Sequence, residues 1–187
     1  MKATLSILTA SIILVACADV MGKKESAPPE AVAMAKPAPV GTTAAATLRA
    51  TDGNKASGNV RFTQQASSVL VEASIQGLTP GPHGIHVHEK GDCSAPDGAS
   101  AGAHFNPTGS AHGGTSGARH SGDMGNLVAD AQGAATLKVN VTGIALNDGP
   151  SGVINRSVIV HADPDDFKTQ PSGNSGKRVA CGVVAKS

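Results

Sequence analysis

Two histidines stand at alternate positions in the segment His-Gly-Ile-His-Val-His, residues 83–88. Side chains of a strand alternate between its two faces, so His86 and His88 point to one side, about 6–7 Å apart along the backbone. Imidazole is a good ligand for copper and zinc, and the β-branched Val87 stiffens the strand and faces the opposite side, toward a core. An isolated pair of this kind more often consists of ordinary surface residues than of metal ligands. Its meaning therefore depends on where the remaining histidines fall.

Three more histidines lie in a glycine-rich segment between residues 91 and 125, where strand periodicity disappears. Nine of these 35 residues are glycine, so the segment buries too little apolar surface to order itself. Metal ligation and a disulfide are the constraints that could order it. The three histidines are His104, His112 and His120.

Two ligand sets of different chemistry can be assembled from these residues. Two imidazoles with a carboxylate, completed by a third imidazole, match the tetrahedral shell that zinc prefers. Three imidazoles completed by a fourth give an all-nitrogen set that suits copper(II). The first set is His112, His120 and Asp123, and the second is His86, His88 and His161. Such a site would form only when separate elements fold together.

Short alternating runs, separated by turns rich in Gly, Pro and Asn, predict about eight strands and no helix. Val69, Val71 and Ile75 alternate with more polar residues and are expected to share one buried face. His83 is interpreted as a turn residue before the histidine strand, and residues 163–176 form a second irregular stretch. Regularly spaced short strands favour a β-sandwich or barrel. The predicted strands are 46–50, 58–64, 68–75, 84–88, 126–130, 135–141, 157–161 and 178–185.

Composition argues against a nucleic-acid surface. The chain has a formal net charge of +1, and its aromatic residues are three phenylalanines, with no tryptophan or tyrosine. Surfaces that bind nucleic acids usually combine a basic bias with stacking aromatic residues. We therefore expect no nucleic-acid partner.

The first residues have the pattern of an export signal. Lys2 precedes an apolar run of 14 residues, 3–16, which is too short to cross a bilayer core of about 30 Å. The ending Leu-Val-Ala-Cys resembles a bacterial lipobox, which implies cleavage before Cys17 and acylation of that cysteine; a stray cysteine in an ordinary signal peptide is the alternative. The expected organisation is a signal peptide over 1–16, a lipid-anchored Ala/Pro-rich tether over 17–43 and one domain over 44–187.

The cysteine count is odd, since the chain has three. If Cys17 carries lipid, Cys93 and Cys181 remain as a pair in an exported, oxidising setting, where disulfides persist. Two free thiols are the alternative, which exposure to that compartment disfavours.

Six segments resemble, in order, the motifs of copper/zinc superoxide dismutase. They are G-I-H-V-H-E at 84–89, A-H-F-N-P at 103–107, H-G-G at 112–114, R-H-S-G-D-M-G-N at 119–126, V-I-V-H at 158–161 and R-V-A-C-G at 178–182. The resemblance covers the domain from Ala44 onward, and the export signal is similar to that of the bacterial, lipoprotein-type branch. It implies an all-β fold, an eight-stranded Greek-key β-sandwich or flattened barrel with two long functional loops.

The resemblance also implies a role for each site residue. Copper would be held by four imidazoles, and zinc by three imidazoles and a carboxylate, with the ring of His104 shared by both metals. Asp165 would accept hydrogen bonds from one imidazole of each site, and Arg178 would line the channel to copper. Cys93 and Cys181 would form the family disulfide. The implied copper ligands are His86, His88, His104 and His161, and the implied zinc ligands are His104, His112, His120 and Asp123.

The implied activity is dismutation of superoxide to oxygen and hydrogen peroxide. His104 would carry a proton between turnovers, and Arg178 would attract the anion; the family is itself a documented example of such electrostatic steering. The sequence departs from eukaryotic members in the short stretch 167–172, where Lys168 is the only charge. Steering beyond Arg178 is therefore open. The other candidates for it are Lys168, Lys90 and Lys55.

The expected partners are superoxide as substrate, copper and zinc as cofactors, and a membrane through the N-terminal lipid, with the subunit a monomer or a homodimer. The expected location is the periplasm of a bacterial cell envelope, and Ala18 after Cys17, in place of aspartate, favours the outer membrane. Two other classes compete. A non-catalytic, lipid-tethered copper/zinc-binding module predicts loss of a copper ligand or of Arg178, and the sequence keeps them all. A structural or adhesion role gives no reason for six ligand-placed histidines.

Overall fold

The computed structural model describes residues 38–187, and this part of the chain forms β-strands, turns and a single 3-10 helix, Ala99–Ala101. No helix within it is long and apolar enough to cross a bilayer. The predicted signal peptide, Cys17 and residues 17–37 of the predicted tether lie outside the described residues. The strands, numbered in chain order, are β1 Thr43–Ala50, β2 Ser57–Gln64, β3 Val69–Gln76, β4 Gly81–His88, β5 Asp123–Ala129, β6 Ala135–Val141, β7 Ser157–His161, β8 Arg178–Val183 and β9 Ala185–Lys186.

The described strands form one antiparallel sheet in the order β5-β4-β7-β8-β1-β2-β3-β6, and β9 pairs with the start of β1. β5 and β6, the two ends of this order, lie against each other, so the sheet nearly closes into a barrel. Crossovers place β6 beside β3 and β7 beside β4. This connectivity is that of a Greek key, and the predicted all-β fold with eight main strands is confirmed.

Alternation of side chains builds the barrel core from one face of each strand. In β3, Val69, Val71 and Ile75 point inward and are at most 2% exposed, as the sequence predicted. β1 contributes small residues, and Ala44 lies directly opposite the fully buried Phe62 of β2. A large side chain is thus matched by a small one across the strand pair. Replacing Phe62 with alanine would leave a cavity and cost about 3–5 kcal/mol.

His83 lies within β4, so its interpretation as a turn residue was wrong. The strand begins three residues before the predicted start, at Gly81, whose φ of 118° is accessible mainly to glycine. Alternation then places His83 on the core face together with Ile85, and both are buried. The two ring nitrogens of His83 lie 2.8 Å from the carbonyl oxygen of His161 and 2.7 Å from that of Thr79.

Two long segments without strands connect the sheet. Loop A, residues 89–122, joins β4 to β5, and loop B, residues 162–177, joins β7 to β8. They correspond to the two irregular stretches that the sequence predicted. The predicted pair of Cys93 in loop A and Cys181 in β8 forms a disulfide, with the Cα atoms 5.8 Å apart. This bond ties loop A to the sheet.

The ends of the domain differ slightly from the expected boundaries. The Gly41 N–H donates to the carbonyl of Gln64 at the end of β2, so residues before β1 already bond to the barrel. The last predicted strand is divided, because the N–H of Val184 donates to the carbonyl of Arg156 before β9 begins. Neither difference affects the position of the histidines.

Candidate metal centre

Seven polar side chains meet in two adjoining groups, and they are the ligands that the resemblance implied. β4 contributes two, loop A three, and the start of β5 and the end of β7 one each. Each residue is at most 7% exposed, and within each group the potential ligand atoms lie within 4.8 Å of one another. The imidazole cage consists of His86, His88, His104 and His161, and the carboxylate cage consists of His104, His112, His120 and Asp123.

The sheet positions the imidazole cage. His86 and His88 are two apart on β4, and their ring centroids are 6.4 Å apart, in the range that strand geometry predicted. β7 pairs with β4 and ends at His161, whose ring centroid lies 5.0 Å from that of His86. An isolated antiparallel bridge joins His104 to His88. Three of the four ligands therefore lie on paired strands, and the fourth is bonded to one of them.

Rings of the imidazole cage are oriented through their outer nitrogens. The Nδ1–H of His88 donates to the carbonyl of Gly102 at 2.9 Å, and the Nδ1–H of His161 donates to the carbonyl of Gly176 at 3.3 Å. Such bonds fix the tautomer, so that the inner nitrogen keeps its lone pair.

The inner nitrogens are buried and have no hydrogen-bond partner. A buried polar atom left unsatisfied costs about 1–3 kcal/mol, so four of them at one place indicate that something else satisfies them. An ion bound to all four would do so, and four imidazole nitrogens suit copper. The residues present therefore fit a copper ion. The atoms are His86 Nδ1, His88 Nε2, His104 Nε2 and His161 Nε2.

Asp123 is the centre of the carboxylate cage. Its Oδ1 lies 3.0 Å from Nδ1 of His104 and 3.5 Å from Nδ1 of His120. Its Oδ2 lies 3.0 Å from Nδ1 of His112. The backbone N–H groups of His120 and Gly113 also donate to Oδ2, which holds the carboxylate in place. Three imidazoles with one carboxylate form the kind of tetrahedral donor set that zinc prefers.

His104 belongs to both cages because its two nitrogens face opposite ways. Nδ1 bonds to Asp123, whereas Nε2 belongs to the imidazole cage and has no hydrogen-bond partner. The ring centroid lies 4.0 Å from that of His86 and 5.6 Å from that of His120. One ring can therefore contact ions in both cages, an arrangement that sequence spacing alone could not show.

Asp165, a buried carboxylate in loop B, joins the two cages. Its Oδ2 accepts from Nε2–H of His86 at 2.9 Å, and its Oδ1 accepts from Nε2–H of His112 at 2.8 Å. The side chain of Asn126 on β5 bonds to both the N–H and the carbonyl of Asp165. A Cβ added at Gly173 would overlap both Asp165 and His112, so only glycine fits there.

Arg178 lies in the wall of a cavity of about 630 Å³ that the imidazole cage also lines. Its guanidinium donates to the carbonyls of Gly98 and Gly102, at 2.6 Å each. The Gly102 carbonyl also accepts from His88, so the cation is held beside a cage ligand. A second cavity of about 640 Å³, over the disulfide and β1, is lined by no cage ligand among the described residues. Of these two cavities, only the first is lined by residues of the imidazole cage.

The lysines considered for steering do not contribute to that cavity wall. Among the described residues that line it, Arg178 is the only lysine or arginine. Arg178 is therefore the basic side chain of that wall, and its role at the opening stays a prediction. The lysines outside the wall are Lys55, Lys90 and Lys168.

Burial favours the neutral form of three imidazoles in the imidazole cage. It lowers the pKa of His161 to about 4 and holds the pKa values of His86 and His88 well below the usual value, and the neighbouring imidazole of His104 adds to each shift. Burial alone would raise the pKa of Asp123, but the hydrogen bond from His104 and the other nearby imidazoles lower it.

Some residues that hold the site were not found from the sequence. Gly102 and Gly176 act through carbonyl groups, which every residue type possesses, so their roles carry no signal in the sequence. Asn126 lies inside one of the quoted motifs, but only the structure shows that it bonds to Asp165.

A nearly closed antiparallel barrel with two adjoining cages around a common imidazole defines a binuclear metalloprotein. Residues 56–184 match the family model described as copper/zinc superoxide dismutase (SODC). The chain is 44% identical over 156 residues to an extracellular superoxide dismutase (Cu-Zn) of Brugia pahangi, covering 78% of this chain and 76% of that protein. It is 43% identical over 148 residues to a superoxide dismutase (Cu-Zn) of Caulobacter vibrioides, covering 75% and 84%. It is also 43% identical over 138 residues to a copper chaperone for superoxide dismutase of Rattus norvegicus, covering 70% and 48%.

The chain belongs to the copper/zinc superoxide dismutase family. It is an enzyme of this type, and its cofactors are copper and zinc.

Proposed function

We propose that the protein dismutates superoxide with copper held in the imidazole cage and zinc held in the carboxylate cage. The observation that carries the proposal is the set of buried, unpaired nitrogens that converge on either side of His104. When bound, copper supplies the one-electron chemistry by which two superoxide anions and two protons give one oxygen and one hydrogen peroxide. His86, His88, His104 and His161 would hold copper, and His104, His112, His120 and Asp123 would hold zinc.

His104 is placed to hold and release a proton. Its Nε2 has no hydrogen-bond partner and belongs to the imidazole cage, and the residue lines the cavity through which substrate would enter. Its Nδ1 belongs to the carboxylate cage, so the ring can be held from that side while Nε2 takes up a proton. That proton can then pass to the peroxide product, which needs two protons before it leaves.

Arg178 provides the positive charge that a small anion requires. Two carbonyl groups hold its guanidinium in a fixed place in the cavity wall, so no ordering cost is paid when the anion arrives. A fixed cation in a cleft concentrates anions there and raises their association rate.

The test combines metal analysis with superoxide consumption, measured before and after copper removal. Activity should disappear when copper is removed from the zinc-containing protein and return when copper is restored. Arg178→Gln should bind both metals normally but lose about tenfold or more in rate at low ionic strength. Unchanged activity without copper would contradict the mechanism.

We also propose that the domain is exported and tethered by a lipid on Cys17, where it protects the cell envelope from superoxide. The Leu-Val-Ala-Cys ending at residues 14–17 supports acylation, and the Cys93–Cys181 disulfide suits an oxidising compartment. Cys17→Ser should shift the protein from the membrane to the soluble fraction and remove the lipid mass from its N-terminal peptide. Equal membrane association of both proteins would refute the tether.

A non-catalytic copper- and zinc-binding module is the alternative, and the similarity to a copper chaperone gives it a specific basis. This module would bind both metals but would not consume superoxide. The same assay on the fully metal-loaded protein therefore distinguishes the two functions.

A further inference from the structure

The stretch of loop A that carries His112 has no strand partner. Within residues 38–187, residues 110–119 take part in no backbone-to-backbone hydrogen bond, although His112 itself is buried. Ordering such a stretch costs backbone entropy at every residue, and the usual ladder of hydrogen bonds that offsets this cost is missing. Something else must keep His112 in position.

The side chain of Gln170 in loop B takes the place of that ladder. Its Oε1 accepts from the backbone N–H of His112 at 2.8 Å, and its Nε2 donates to the backbone carbonyl of His112 at 3.0 Å. One side-chain amide therefore satisfies both backbone groups of the same residue, as a neighbouring strand would. Gln170 is an exposed residue, so these bonds are not a by-product of core packing.

The base of this contact is itself fixed. Asp166 accepts hydrogen bonds from the backbone N–H groups of Lys168 and Thr169 and from the hydroxyl of Thr169, which closes a turn just before Gln170. The Nε2 of Gln170 also donates to the carbonyl of Lys168 at 3.3 Å. A hydrogen-bonded turn therefore presents the amide to loop A.

Loop B thus holds His112 in two ways. Asp165 bonds to the ring, and Gln170 bonds to the backbone. The residues that follow Gln170, Pro171 and Ser172, line the cavity next to the imidazole cage. Loop B consequently connects His112 of the carboxylate cage with the wall of the cavity next to the imidazole cage.

We propose that Gln170 is a positioning residue that holds His112 in the geometry of the carboxylate cage and thereby docks loop B against loop A. The inference rests on the proposed binding of zinc in that cage. It predicts that the Gln170 amide slows zinc release and that the bound zinc in turn stabilises the cavity wall formed by loop B.

The experiment compares Gln170→Met, which keeps the length of the side chain but has no amide, with Gln76→Met, an exposed glutamine at the end of β3. Transfer of zinc to a chelator should be about ten- to a hundredfold faster for Gln170→Met, the usual effect of losing a group that orients a metal ligand. Gln170→Asn keeps the amide but is one methylene too short to reach both backbone groups, and it should also accelerate release. Gln76→Met should behave as wild type.

Two further measurements separate positioning from general stability. Cobalt in the carboxylate cage should show a changed visible absorption spectrum in Gln170→Met, whereas the unfolding midpoint of the metal-free variant should move no more than that of Gln76→Met. Amide exchange in residues 166–174 of the zinc-loaded variant should increase. Zinc release within about twofold of wild type, or an unchanged cobalt spectrum, would overturn the inference. Failure of the wild type to retain zinc would instead refute the proposed function.

Discussion

The imidazole cage and the carboxylate cage share one ring but rest on different kinds of structure. Three of the four ligands in the imidazole cage lie on β4 and β7, which are paired residue by residue. The carboxylate cage takes His112 and His120 from loop A, where side-chain bonds to Asp123, Asp165 and Gln170 do most of the positioning. Paired strands therefore place most of the first cage, whereas the second depends more on its ion and on side-chain bonds between the loops.

Removing one ligand from each cage tests this difference most strongly. His161→Ala should lower the dismutation rate by more than about a hundredfold, since changes one shell outside a metal already cost ten- to a hundredfold. The barrel and the zinc content should remain, because the missing ring is not a part of the carboxylate cage. Metal analysis, a dismutation assay and circular dichroism check these expectations.

His120→Ala is the matched variant for the other cage. It should lose zinc and show faster amide exchange in residues 108–119, yet it should still bind copper. Loss of copper and zinc together in both variants would mean that the cages are one cooperative unit, and the contrast between them would be wrong.

The disulfide provides the next largest effect, because it restrains the part of loop A that leads from β4 to His104. It closes a loop of 88 residues, for which chain entropy gives about 4–5 kcal/mol as an upper figure. Replacing Cys93 and Cys181 with serine should lower the free energy of unfolding of the metal-free protein by up to this amount, measured with urea. Zinc should recover part of the loss. A loss below about 1 kcal/mol would show that other contacts already restrain loop A.

Acid should destabilise the metal-free protein mainly through the imidazole cage. Burial lowers the pKa of His161 to about 4, whereas a histidine in an unfolded chain titrates near 6.5. Between these values the unfolded chain binds more protons than the folded one, so the free energy of unfolding falls as the pH drops through this window and is constant above it. His161 alone accounts for roughly 3 kcal/mol, and His86 and His88 act in the same direction.

Urea unfolding of the metal-free protein between about pH 7.5 and pH 4 measures this dependence. His161→Gln removes one buried imidazole and should give a shallower slope than wild type. A wild-type profile that stays flat below pH 6.5 would show that the cage opens to water without its ions.

Residue pattern predicted those parts of the molecule that depend on periodicity. The alternation of Val69, Val71 and Ile75 identified a core face. The spacing of His86 and His88 predicted two neighbouring imidazoles on one face of their strand. The same parity would have placed His83 with Ile85 in the core, but the prolines and glycines before it suggested a longer turn. Local rules therefore found the strands and missed one of their ends.

Contacts between the loops could not be found in this way. Asp165 was assigned only through the resemblance to the family, since a carboxylate among three other acidic or proline residues looks like an ordinary turn. The partnership of Gln170 with His112 joins positions 58 residues apart through backbone groups that every residue has. Such contacts depend on the path of two irregular loops, which no periodicity describes.

The smallest expected effect concerns capture of the superoxide anion. We expect the positive charge in the cavity wall beside the imidazole cage to attract it, and not the charge at the tip of loop B. Lys168 is exposed, does not line the cavity, and follows Asp166. Hydrogen bonds from Thr169 and Lys168 lower the pKa of Asp166 to about 2, so its negative charge offsets that of the lysine at any physiological pH. Lys168→Gln should therefore change the rate less than about twofold at low salt and hardly at all at physiological ionic strength, where exposed charges are screened beyond about 8 Å. Stopped-flow rates at several salt concentrations measure the two contributions. Arg178→Gln is the matched variant, and it should lose at least about tenfold in rate. Equal losses in the two variants would mean that the charge on loop B steers the anion.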